Sequence, residues 1–411
     1  MSRHIVNVGI LRAADIRFTL HGTFTLDSIP LGAGDYRVAM EGARLTLSTS
    51  EGEAIAETDA MEMVPTDGAC SFTIRDVVIG IGFHWQRCED QTFTGTLRFI
   101  VEDGMVRAVN SLDIEDYLLS VISSEMSASA TTEFLKAHAV ISRSWLINRM
   151  TAEKCQANTI SHQSADRLIR WYDHDDHLLF DVCADDHCQR YQGITRARES
   201  AERWSRVSQV IESTRGQVLT YQGEVCDARF SKCCGGMLEQ YESCWDATHK
   251  PYLISKPDPY CNTSDARILA QVLNGYDQET VDFYRWTVSY TTSQLSALIA
   301  RKSGIDFGTV TDLQPVLRGP SGRIIELRIV GTLRTMTVGK ELEIRKWLSE
   351  SHLYSSAFDV ERTASGFTLR GRGWGHGVGL CQIGAAVMGD SGFDYRAILS
   401  HYYPGTDIIV V

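Results

Sequence analysis

Residues Gly371 to Leu380 read GRGWGHGVGL, with glycine at every second position five times running. Side chains in an extended strand alternate between faces with a period of two. Read as a strand, this stretch has one bare face, and Arg372, Trp374, His376 and Val378 occupy the other. Each interior glycine costs roughly 0.5–1 kcal/mol relative to alanine. Such a run implies close approach of another backbone or of a ligand. A phosphate loop is excluded, because neither G-x-G-x-x-G nor G-x-x-x-x-G-K-[ST] fits these residues. A tight packing strand without chemistry is the rival reading.

The rest of the 411-residue chain reads as α+β and multi-domain. Residues 1–95 hold short alternating runs such as IRFTLHGTFTL and form a β-rich N-terminal domain. From Asp113 the period becomes helical, with Ile114, Tyr117, Leu118, Val121 and Ile122 on one face. Asp113 is the expected N-cap and Asp116 completes a capping box. A second helix is expected to start from a Ser129 cap and run to about Lys154. Residues 160–195 read as loop-rich, followed by short strands. Residues 96–262 and 359–411 make a mixed core domain. Residues 263–358, with the helix SQLSALIARKSG and the strands GRIIELRIVG and RTMTVG, make an inserted α/β lateral subdomain.

The net charge is −12, which disfavours nucleic acid or an anionic membrane as partner. No run of 18 apolar residues is present, so no membrane span is expected. The N-terminal MSRHIVNVGILRAADIRFTL reads as a strand rather than a signal peptide. Eleven cysteines, an odd number with Cys233 and Cys234 adjacent, favour reduced thiols and metal binding over a disulfide framework.

Two places carry chemistry. Glu125 ends the first helix, where the partial negative charge of the helix terminus disfavours a second negative charge. Burial there would add to that cost, which suits a proton donor. HDDHLLFDVCADDHC, His174 to Cys188, brings His177, Cys183 and Cys188 into zinc-ligand spacing, with a fourth position open. Here His187 is expected to point away. Ser231 precedes a glycine pair, and Cys233, Cys234, Cys244 and Cys261 are candidates for a second thiolate site. His138 and Lys136 read as solvated positions on the second helix.

Together LDIEDYLLSVISSEM, LKAHAVISRSW, DVCADDHCQRYQG, FSKCCGGMLE and GRGWGHGVGLCQIGAA resemble the SpoIID/LytB family, over roughly residues 95 to 411. The resemblance implies a lytic transglycosylase that cleaves the MurNAc–GlcNAc bond of peptidoglycan and leaves 1,6-anhydro ends. An alternative is a non-catalytic glycan-binding protein that stimulates a cell-wall amidase. A cytosolic zinc protein of other function is a third. By the resemblance Glu125 is the catalytic acid/base, and His177, Cys183 and Cys188 are Zn2+ ligands. Arg143, Ser231, Gly235, Gly236, Trp374, His376 and Gln382 fall in substrate-binding positions. The implied partners are peptidoglycan glycan strands and a wall amidase, outside the cytoplasm. The chain departs from the family pattern at Cys233, Cys234 and Cys381.

Overall fold

The computed structural model describes residues 4–81, 86–127, 129–151, 162–172, 177–185, 187–273 and 283–411. His174, counted above in the histidine- and cysteine-rich run, lies outside them, as do the last residues expected for the second helix.

The alternating N-terminal runs pair antiparallel with one another in two sheets. Strand Asp15–His21 turns Ile16, Phe18 and Leu20 inward and leaves Asp15, Arg17 and His21 exposed. It pairs with Gly34–Glu41 on one side and Ser71–Ile79 on the other, inside a six-stranded sheet. The second sheet has seven strands. In it Ile5–Ala13 lies between Met105–Asp113 and the two-residue strand Val182–Cys183. Phe18 of the first sheet meets Phe99 of the second at 5.2 Å between ring centroids, so the sheets share a core.

Strand Met105–Asp113 runs straight into helix α1, Ile114–Glu125. Asp113 caps it as expected, accepting from the Glu115 N–H at 2.9 Å. Helix α2, Thr132–Thr151, starts later than its sequence suggested. The cap is Thr131, whose hydroxyl accepts from the Phe134 N–H, and Ser129 instead bonds to Ser127. α2 is buried on nearly every side, including His138, Ser142, Arg143 and Ser144. A helix buried all round must satisfy its polar groups internally. Ser144 does so by donating to the Val140 carbonyl and accepting from the Leu219 N–H. His138, expected on a solvated face, is fully buried beside Phe134 and Phe230. The helix Ala201–Ser213 was not legible among the short strands expected there.

Two apolar cores result among the described residues. The larger runs from Val6 to Tyr403 and joins both N-terminal sheets to α1, α2 and the C-terminal helices. The smaller is built from Trp286 to Leu369 with Leu168. Leu168 belongs there because strand Arg167–Ile169 pairs in parallel with Thr335–Gly339, extending the sheet of the 310–339 region. The helix Thr292–Ser303 stops at Gly304, whose φ of 70° is the left-handed conformation a helix C-terminus favours.

Candidate functional site

The glycine-alternating stretch is a strand only as far as Arg372. Beyond it Gly373, Gly375, Gly377 and Gly379 all take positive φ, from 70° to 93°. The glycines therefore serve conformation as well as packing, because side chains avoid this region. The expected close approach is present. A Cβ on Gly373 would meet the Cys233 carbonyl at 2.8 Å, and one on Gly377 would meet the Arg323 guanidinium at 2.4 Å. The zigzag exchanges hydrogen bonds with Cys233 through Trp374 and holds that indole on the wall of a cavity of about 640 Å³.

Glu125, Trp145, Trp171, Trp245, Trp374 and the His177–Cys188 segment line this cavity. Four tryptophans in one cleft suit sugars, whose C–H faces match apolar rings. Only Trp374 was picked out from the sequence. The others come from α2 and from distant loops, with no shared motif. Three buried polar side chains on the wall, Gln91, Gln192 and Ser231, carry atoms with no hydrogen-bond partner among the described residues. Unpaired buried polar atoms are costly, and a polar ligand would relieve that cost.

Glu125 sits on the last turn of α1, as expected, and it is buried. Segment 189–192 lies along that turn. Gln189 accepts from the Tyr117 hydroxyl at 3.1 Å, the Arg190 N–H donates to Glu125 Oε1 at 3.2 Å, and the Gln192 N–H donates to Ser124 Oγ at 3.3 Å. Among the described residues two further carboxylates reach the cavity, each held elsewhere. Glu341 pairs with Arg345, and Asp185 accepts from the Gly80 N–H.

His177, Cys183 and Cys188 do converge, and His187 joins them, so that all four donor atoms lie within 4.8 Å of one another. The expectation that His187 points away assumed an extended chain. Instead the chain turns, with the Cys188 N–H bonded to the Asp185 carbonyl, and His187 Nδ1 lies 3.5 Å from Cys188 Sγ. His187 therefore takes the position left open in the sequence reading. Two imidazoles and two thiols fit a tetrahedral zinc-class ion. His177 Nε2 is buried without a hydrogen-bond partner among the described residues, as a ligand nitrogen would be. The neighbouring Cys188 sulfur, aided by burial, pushes the Cys183 thiol up to about 11.

The other candidates divide. Ser231, Trp374, His376 and Gln382 line the cavity. Burial, together with nearby Arg229, Arg323 and Arg345, lowers His376 to about 3, so its ring is neutral. Its Nδ1 accepts from the Val378 N–H, and its edge rests on Trp245. Gln382 bonds to His138 Nε2, which links the wall to α2. Arg143 does not reach the cavity. It is fully buried, and its guanidinium is spent on both oxygens of Glu115 and on the Gln217 carbonyl. Gly235 and Gly236 are also absent from the wall. They turn the chain at φ of 76° and 99°, and Gly235 packs against the Gly373 backbone.

Fold and site together define a mixed α+β protein with an aromatic cleft that holds a buried carboxyl and a histidine–cysteine cluster. A family model described as Stage II sporulation protein matches residues 102–221, which contain both the carboxyl and the cluster. A second model, a domain of unknown function, matches residues 239–379. An uncharacterised protein of Brachyspira hyodysenteriae is 30% identical over 317 residues, covering 77% of this chain and 72% of its own length. Stage II sporulation protein D of Bacillus subtilis is 24% identical over 302 residues, covering 74% of this chain and 76% of that protein. The amidase enhancer of Bacillus subtilis is 25% identical over 322 residues, and these span 71% of this chain but 40% of the enhancer. The chain belongs to the SpoIID/LytB family, whose named members point to a cell-wall role.

Proposed function

We propose that the protein is a peptidoglycan lytic transglycosylase with Glu125 as its acid/base. The observation that carries this reading is the buried Glu125 carboxyl opening into a cleft walled by tryptophans and by polar atoms unpaired among the described residues. A glycan strand would lie along Trp374 and Trp245, with its hydroxyl and amide groups on Ser231, Gln91 and Gln192. Glu125, protonated, gives its proton to the oxygen bridging MurNAc to GlcNAc. As a carboxylate it then takes the proton of the MurNAc C6 hydroxyl. That hydroxyl attacks the anomeric carbon as the bridging bond breaks, and a 1,6-anhydro ring closes. One carboxyl serves both steps because the nucleophile belongs to the substrate, whereas a hydrolase needs a second carboxyl to activate water or act as nucleophile. Holding the hydroxyl in line removes much of the entropic barrier. The Arg190 N–H fixes the orientation of the carboxyl for both transfers.

His177, Cys183, His187 and Cys188 would hold a zinc ion. With four protein ligands it would supply charge neutralisation and a rigid loop rather than an open coordination site. Product analysis on purified glycan strands tests the proposal: anhydro-MurNAc ends support it, and new reducing ends contradict it.

The likeness to an amidase enhancer favours a second reading, a glycan-binding protein that stimulates a wall amidase. It uses the same tryptophans and leaves Glu125 without a chemical role. Binding of strands without cleavage, together with faster amidase turnover, would select it.

A further inference from the structure

We propose a second metal centre, formed by Cys234, Cys261, Cys381 and the Asp258 carboxylate, that takes a single zinc-class divalent ion. It stands apart from the histidine–cysteine cluster and does not depend on the transglycosylase reading. The donor atoms of these four residues all lie within 4.8 Å of one another, and all four residues are buried. A tetrahedral ion with sulfur ligands at about 2.3 Å sets neighbouring sulfurs about 3.8 Å apart. Cys234 Sγ and Cys261 Sγ are separated by 3.4 Å, close to that spacing and too far for a disulfide.

The surroundings are those of held ligands. The Cys234 N–H donates to Cys381 Sγ at 3.3 Å, and the Gly236 N–H donates to Cys261 Sγ at 3.1 Å. The left-handed Gly235 and Gly236 turn the chain so that these N–H groups face the sulfurs. Asp258 is fully buried. Its Oδ1 accepts from the Tyr260 N–H at 3.1 Å, and its Oδ2 accepts from the Tyr402 hydroxyl at 3.3 Å. Orientation of ligands by such outer bonds is characteristic of built metal sites. Three thiolates and a carboxylate buried together would repel, and a divalent cation offsets two of their four negative charges.

The ligands come from three segments far apart in sequence. Cys234 follows the short strand Phe230–Ser231, which pairs in parallel with Leu380–Cys381. Cys381 opens the helix Gln382–Asp390, and Cys261 and Asp258 come from the loop between. Two cavity residues adjoin the ligands: Gln382 follows Cys381, and Ser231 lies three residues before Cys234. A metal here pins one wall of the cleft from behind, while the histidine–cysteine cluster serves Glu125 on the other. Cys244, grouped with these cysteines from the sequence, lies elsewhere, with its thiol toward the His376 carbonyl. Cys233 is buried near Cys261 and Cys381 and supplies backbone bonds to Trp374.

Metal analysis of the full chain, purified under reducing conditions without chelator, tests the proposal. Two zinc ions per chain are expected. Cys183→Ser should remove one, Cys261→Ser or Cys381→Ser the other, and the Cys183→Ser/Cys261→Ser double variant both. X-ray absorption at the zinc edge of the unmutated protein serves if a variant fails to fold. It should report five sulfurs shared between two ions, two from the first cluster and three from the second. One ion with two sulfurs, iron with acid-labile sulfide, or a native disulfide joining Cys234 to Cys261 would each overturn the assignment.

Discussion

The main-chain N–H of Arg190 donates to Glu125 Oε1 at 3.2 Å, two residues beyond Cys188 of the histidine–cysteine cluster. The loop that gathers the cluster is thus the loop that orients the carboxyl. Stripping the proposed metal from the cluster, or Cys188→Ser, should loosen residues 188–192 and lower glycan cleavage about 10-fold or more. Initial rates before chelation, after it, and after zinc is restored check this. Undiminished rates in metal-free protein would separate the cluster from catalysis.

Trp374→Ala should weaken binding of glycan strands by about 3- to 10-fold, the share of one aromatic contact. Ser231→Ala should also weaken binding, with stability changed by less than about 0.5 kcal/mol, because the Ser231 hydroxyl has no partner to lose among the described residues. Calorimetric titration with peptide-free strands measures the first effect, and urea unfolding the second.

Arg143 and Glu115 form a buried two-point pair. Arg143→Leu leaves the buried Glu115 carboxylate without its cation, held by the Gly216 N–H, and should cost about 3–5 kcal/mol of stability. Glycan affinity of the fraction that remains folded should be unchanged, since neither residue lines the cavity. A selective loss of affinity without loss of stability would return Arg143 to the binding site.

How far the sequence could be read follows distance along the chain. Asp113, the period of α1 and the place of Glu125 at its end are local features, and all are seen. His177, Cys183 and Cys188 lie within twelve residues, and their convergence was legible. His187 was not, because a turn at Asp185 overrides the alternation of an extended chain. Cys381 meets Cys234 and Cys261 only through a parallel strand pair and a helix start, and no spacing rule anticipates that. His138 reads as a surface residue on a helix, and the resemblance sets Arg143 beside the groove. Only the packing of α2 on all sides shows them to be interior.

The same packing sets the acid response. Burial, helped by nearby Lys232, lowers His138 to about 3 from an ordinary 6.5. Below pH 6.5 the unfolded chain binds a proton that the folded one refuses. The stability from this group is therefore full above pH 6.5 and is lost as pH falls toward 3, by about 1.4 kcal/mol per pH unit. Urea midpoints measured between pH 7 and pH 4 should fall more steeply for the native protein than for His138→Gln. Equal slopes would mean that His138 is protonated in the fold.

The most direct measurement is the product of glycan-strand digestion by the native protein and by Glu125→Gln, with circular dichroism to confirm that the variant is folded. The native protein should release fragments ending in 1,6-anhydro-MurNAc, and Glu125→Gln should bind the strands but release none. Release of anhydro ends by folded Glu125→Gln at the native rate would contradict the account.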